Sequence, residues 1–326
     1  MWSGALKKLL DNGAVGDRLS QDEAHRLLAA ALDDGVAALE LGAILALLEA
    51  RGVTFEQLLG FCRAVRERCF RVRAPRTGMR PVVFSSYTGT RYAPNLVALL
   101  ALALPRFGVP VLVHGALHAE GRIAAAHVLR ELGVMPCASV AQVEEQLALE
   151  KLALVPTALI APGLTDFLAL KSRLGFNNVA QLLAKLLDPF GSDALLAVAA
   201  GNARERLQLR EVLCTYRDHA LLLEGTEGEA FANPRCRPQI EYIRDGSAQL
   251  LFEAEVNSFQ GLATLPPATE VRKTARWIRS VLKGETPLPY PMVNQLACLL
   301  YGAGYTDDLF QAKAIVAVET GSLIPA

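Results

Sequence analysis

The sequence predicts an α/β protein: a small N-terminal helical bundle followed by a large α/β domain with a mostly parallel central sheet. Three observations predict it. The first seventy residues place apolar side chains at helical spacing between capping signals. From Pro81 onward, short apolar runs bounded by turn residues alternate with helical segments, the pattern of buried parallel strands and their crossovers. The chain has 326 residues, 52% of them hydrophobic and 20% charged, which is enough for a large buried core and excludes global disorder. The linker Pro75–Pro81 divides a helical domain at 1–73 from an α/β domain at 74–326, with mid-chain helices near 176–188 available to pack on the helical domain.

The elements follow in order. Ser20 and Glu23 form a capping box, and Leu27, Leu28, Ala31 and Leu32 mark one buried face of the helix behind it. A helix over about 35–50 is closed by Gly52, and the next opens at Thr54 and runs through Phe55, Leu58, Phe61 and Val65. Pro81–Phe84 reads as a strand, followed by a loop at 85–92 and a helix opening near Pro94. A second strand at 110–113 leads to a helix over 121–132. Further strands are expected at 152–155, 158–160, 195–199 and 220–223, with helices at 165–174, 179–187 and 203–216 between them. A hairpin turns at Asp245-Gly246, joining 240–243 to 249–252. Helices at 269–282, 291–301 and 306–318 close the chain.

The most apolar run, Leu96–Pro105, is about half a bilayer span, and no signal-peptide pattern opens the chain, so a cytoplasmic protein without a membrane segment is expected. Six scattered cysteines lack the paired spacing of a zinc knuckle or disulfide framework. Net charge is zero, with 33 basic against 33 acidic residues, but the charges segregate: seven arginines fall between Arg63 and Arg80 with Glu67 as their one acid. Such a run is either a basic face or a solvated helix surface. His114 and His118 are four apart, but Gly115 breaks the helix a zinc pair needs.

Three stretches carry chemistry. Tyr87-Thr-Gly-Thr-Arg-Tyr92 follows the first strand, Val113-His-Gly-Ala116 ends the second, and Glu224-Gly-Thr-Glu-Gly-Glu229 follows a later one. With Lys171-Ser-Arg-Leu-Gly175 and Gln181-Leu-Leu-Ala-Lys-Leu-Leu-Asp-Pro189, they resemble the ordered landmarks of anthranilate phosphoribosyltransferase and the related pyrimidine nucleoside phosphorylases, over nearly the whole chain. In that family the first stretch is Gly-Thr-Gly-Gly-Asp, whose amides close on pyrophosphate. Here Thr88, Gly89 and Thr90 remain, while the second glycine and the aspartate are gone and Arg91 stands in the turn. The family's Lys-His-Gly-Asn keeps only His114 and Gly115. Its adjacent Asp-Glu magnesium pair is reduced to the separated Glu227 and Glu229. Lys171 stands at the family's anthranilate-binding arginine, keeping charge but not the bidentate fork.

These departures resemble the YbiB-type paralogues. That resemblance implies a homodimer, joined through the helical domain, that binds nucleic acid, DNA above all, with little sequence preference, no catalysis and no cofactor. The candidate phosphate contacts are Lys171, Arg173, Arg204, Arg206, Arg210, Arg235, Arg237 and Arg91. Arg206 and Arg210 lie one helical turn apart, though Glu205 and Glu211 stand ready to neutralise them. Tyr87, Tyr92 and Phe231 are read as packing rather than as base-stacking rings. The basic helix around Trp277 is read as an ordinary amphipathic helix. The alternative is a glycosyltransferase of the parent type, magnesium-dependent and serving tryptophan biosynthesis, with Glu227 and Glu229 as metal ligands.

Overall fold

Ser20 and Thr54 each open a helix as their side chains dictate: each hydroxyl accepts an amide three residues on, and Glu23 and Gln57 reach back to the cap amides. The computed structural model describes residues 2–10, 18–119, 121–191, 193–217, 219–255 and 265–321. In chain order, α1 (Ser3–Leu10), α2 (Gln21–Leu32), α3 (Ala38–Arg51) and α4 (Phe55–Glu67) come first. Next are β1 (Val82–Ser86), α5 (Val97–Ala103), β2 (Val111–Gly115), α6 (Ala125–Glu131), α7 (Val140–Leu149) and β3 (Leu152–Pro156). A helical stretch follows: α8 (Thr157–Ile160), α9 (Pro162–Leu174) and α10 (Val179–Lys185). Then come β4 (Leu195–Ala200), α11 (Ala203–Tyr216), β5 (His219–Glu224), β6 (Ile240–Arg244) and β7 (Ser247–Phe252). The last three are α12 (Val271–Leu282), α13 (Tyr290–Ala303) and α14 (Leu309–Glu319).

Two compact units result. One is helical and takes in Met1–Arg71 and Thr157–Pro189; the other takes in Val72–Pro156 and Phe190–Ala326. The helical unit thus draws on a mid-chain stretch longer than 176–188, beginning at Thr157. Two arginines of its run meet acids of the same unit: Arg63 reaches Asp22 at 2.8 Å, and both oxygens of Asp33 are held by Arg68 at 2.5 and 2.7 Å. In the other unit Nε and Nη2 of Arg73 both donate to one oxygen of Glu144, and the Arg73 amide donates to the other.

The second unit is built on a sheet of order β3-β2-β1-β4-β5-β6-β7, parallel from β3 to β5 and antiparallel at β6 and β7. Every residue of β1 and β4 is buried, as expected of central strands covered on both faces. Helix α13 supplies much of that cover, through Met292, Leu296, Leu299 and Leu300. The β6–β7 turn carries positive φ at both Asp245 (49°) and Gly246 (75°), the type I′ geometry that matches strand twist.

Two expectations are corrected and one helix is added. The run 158–160 is helix α8, not a strand; a short apolar run cannot be told from a buried helical turn by pattern, and Ala161 N donates to Thr157 O. The helix expected from 121 starts at Ala125, because Ile123 is tied by paired backbone bonds to Thr90. Helix α7 is missed by the sequence reading, although Ser139 caps it and Val143 and Leu147 give its buried stripe.

Candidate functional site

Loops at the carboxyl ends of the parallel strands carry the chemistry-bearing residues, where open α/β sheets place ligands. The loop after β1, residues 87–93, meets the loop after β5, residues 225–231. Glu229 is 1% exposed at their junction. Its Oε1 accepts the amides of Thr88 (3.1 Å) and Gly89 (2.7 Å). Its Oε2 accepts the Ser86 hydroxyl (2.5 Å) and the Asn95 side-chain amide (3.1 Å). Burial raises the Glu229 carboxyl above its ordinary value, against the four hydrogen bonds, which pull it down.

Glu227 does the same for the other half of the turn. One oxygen accepts the amides of Tyr92 (2.8 Å) and Ala93 (2.9 Å); the other accepts the amide of Arg91 (2.9 Å) and Nη2 of Arg122 (3.0 Å). Arg122 Nε donates back to the carbonyls of Thr88 and Gly89. Gly89 sits at φ 65°, and a Cβ there would lie 3.0 Å from the Ile123 carbonyl carbon, so this corner needs glycine. The amides of 88, 89, 91, 92 and 93 are therefore all committed to carboxylates of the same chain. A turn suited to an external anion is filled by two carboxyl groups of the same chain.

The neighbouring strand end is also closed. A Cβ on Gly115 would stand 1.9 Å from Ser86 O. His114 is buried, with its Nδ1 2.7 Å from the Tyr87 hydroxyl and the two rings edge to face. Thr90 is buried, and its hydroxyl has no hydrogen-bond partner among the described residues. Magnesium asks for carboxylate oxygens free to face it. All four oxygens of Glu227 and Glu229 instead meet N–H or O–H donors, and the arrangement does not fit the ion. Among the described residues, no cluster of three His, Cys, Asp or Glu side chains is placed to hold a metal.

The eight predicted cations divide in two. Arg206 and Arg210 share Glu241 of β6, at 3.4 and 3.1 Å, and Arg237 is held by Glu255 at 2.7 Å while lying over the Phe252 ring. The neutralising charge comes from Glu241 on the adjoining strand, with Glu224 4.0 Å from Arg206 Nε. Glu205 accepts the amide of Gly201. Lys171, Arg173, Arg204, Arg235 and Arg91 are exposed and make no ion pair among the described residues. Lys171 and Arg173 end α9 in the helical unit. In the other unit, Arg91 follows β1, Arg204 opens α11 behind β4, and Arg235 lies in the loop behind β5, so three adjacent parallel strands each deliver a cation to the same sheet edge.

Sequence reasoning misses Arg122, Ser86 and Asn95, whose roles exist only once two distant loops meet. The one usable signal is a lone arginine in the otherwise apolar start Gly121-Arg-Ile-Ala-Ala. Tyr92 also departs from expectation: it is 82% exposed, with the Arg91 guanidinium 5.8 Å from its ring centroid, whereas Phe231 is wholly buried as read.

Comparison with known proteins agrees with this architecture. Residues 3–69 match the helical bundle domain of a glycosyl transferase family. The YbiB protein of Escherichia coli (strain K12) is 32% identical over 299 residues, covering 91% of this chain and 93% of that protein. An anthranilate phosphoribosyltransferase of Methylocella silvestris is 31% identical over 319 residues, covering 96% and 90%. Among solved structures, the anthranilate phosphoribosyltransferase of Thermus thermophilus superposes with a TM-score of 0.77 at 24% identity, over 98% of this chain and 95% of that one.

Proposed function

This chain belongs to the anthranilate phosphoribosyltransferase-like family and is similar to a YbiB-type member of it, and on that premise we propose that it binds nucleic acid, DNA above all, with little sequence preference and without catalysis. The observation that carries the reading is the filled turn. Five amides suited to a pyrophosphate are committed to Glu227 and Glu229, while Arg91, Arg204 and Arg235 stand exposed and free of ion pairs among the described residues. Guanidinium groups spaced along a sheet edge suit the phosphates of a polymer better than one diphosphate, because each meets its own anion. The reading needs no metal.

Binding is tested by mobility shift or anisotropy across a salt titration, with charge reversal at Arg91, Arg204 and Arg235. Affinity should fall steeply with salt, and no binding at low salt removes the reading. Retention of Thr88, Gly89, Thr90, His114 and Gly115 favours a second reading, a magnesium-dependent phosphoribosyltransferase. It requires Glu227 and Glu229 to release their donors. Calorimetry with phosphoribosyl pyrophosphate and magnesium decides it: a clear heat supports transfer chemistry, and a flat titration ends it.

A homodimer joined through the helical unit is part of the same proposal. It is supported by Leu39, 85% exposed on α3, and by the exposed Phe70 beyond α4. Sedimentation should give a dimer that Leu39→Glu weakens; a monomer in the wild type would sink this part.

A further inference from the structure

Tyr92 is the unexpected exposed aromatic of the site, and its mounting is as informative as its exposure. Exposed loop tips ordinarily hold their rings loosely. Here the amides of Arg91, Tyr92 and Ala93 all donate to Glu227, and Glu227 is fixed in turn by Arg122, which also grips the carbonyls of Thr88 and Gly89. The backbone carrying the ring is tied down on both sides of it. The Arg91 guanidinium lies over the ring at 5.8 Å, and with 82% of the residue exposed the ring remains open to solvent beyond that contact. A held aromatic face beside an exposed cation combines the two contacts a single strand needs: a surface on which a base stacks, and a charge for the phosphate next to it.

We propose that Tyr92, with Arg91 beside it, is a base-stacking platform that gives this protein a grip on unpaired nucleotides. The inference rests on the nucleic-acid reading above and names the form of ligand its site favours. In a duplex the faces of the bases are covered by their neighbours, so the ring finds no partner without unstacking the helix. Arg204 and Arg235, at the same sheet edge, contact the backbone on either form and contribute no strand preference. The platform therefore adds to single-strand affinity alone. Glu227 has a second role here, since the carboxylate that closes the turn to diphosphate also fixes the ring.

The test is fluorescence anisotropy at one fixed salt concentration with three labelled oligonucleotides of equal length: a single strand, its duplex, and a strand of abasic residues carrying the same phosphates. Tyr92→Ser should weaken single-strand binding roughly five- to a hundredfold, the range for loss of one stacked base. It should leave duplex and abasic binding unchanged. Tyr92→Phe keeps the aromatic face and should restore single-strand affinity. Because Tyr92 is so exposed, these variants leave the core intact, and circular dichroism checks it. Equal losses on normal and abasic strands, or no loss on the single strand, would overturn the platform while salt-sensitive binding by the wild type preserved the broader reading. Failure of the wild type to bind any of the three would remove both.

Discussion

At the scale of single residues, Glu229 ties the loop after β1 to the loop after β5. Four donors converge on its two oxygens in a space without solvent, and an unmet buried donor costs about 1–3 kcal/mol. Glu229→Gln turns one accepting oxygen into a donating amine that faces Asn95 Nδ2 or the turn amides, so it should lower stability by about that amount in chemical denaturation. Arg122→Met should loosen the same junction, read as faster amide exchange at Gly89 and Tyr92. His127 offers a pH test. Burial, His118 and Arg130, in that order, lower its imidazole below the ordinary 6.5. As pH falls through the ordinary value the unfolded chain takes up the proton first, so His127's contribution is present above that pH and declines below it. His127→Gln keeps an acceptor for the Ala124 amide at the same helix position and should flatten the decline between about pH 7 and pH 5.

At the scale of elements, local sequence rules decide most of the structure, and the exceptions have causes. The boxes at Ser20 and Thr54 and the turn at Asp245-Gly246 are legible because each is a contract between residues three or fewer apart. Gly246→Ala places a Cβ at φ 75° and should cost about 1–2 kcal/mol, measured as a lowered Tm. Thr54→Ala removes one side of its box and should cost about 1 kcal/mol in the same measurement. The late start of α6 is illegible for the opposite reason: the bonds between Thr90 and Ile123 join segments more than thirty residues apart, and nothing local announces them. Helix α8 is local but too short for its period to show. The glycine-turn landmark is readable as altered, but what fills it is not. Glu227 and Glu229 look like surviving metal ligands in the sequence, and only their placement turns them into substitutes for an anion.

Across the whole molecule, zero net charge conceals a sorting that sequence alone does not give. Arg206 and Arg210 share a face as expected, yet Glu241 from β6 meets both. Arg91, Arg204 and Arg235 keep their charge for solvent, although only strand order brings them to one edge. Charge reversal at these three should each reduce the slope of log affinity against log salt by about one. Reversal at Arg206 should instead lower stability, because it sets a second acid against the buried Glu241. Among the described residues no helix is long and apolar enough to cross a membrane.

The filled turn also bears on reversibility. Replacing Arg91 and its neighbours with the glycines and aspartate of the parent motif would leave Glu227 and Glu229 lodged in the cradle, and a diphosphate would still find the turn amides taken. Removing the two acids alone would strand five amides and the Arg122 guanidinium. Either half-step alone leaves hydrogen-bonding groups unmet or the cradle still occupied, so the two sets of changes should be strongly coupled.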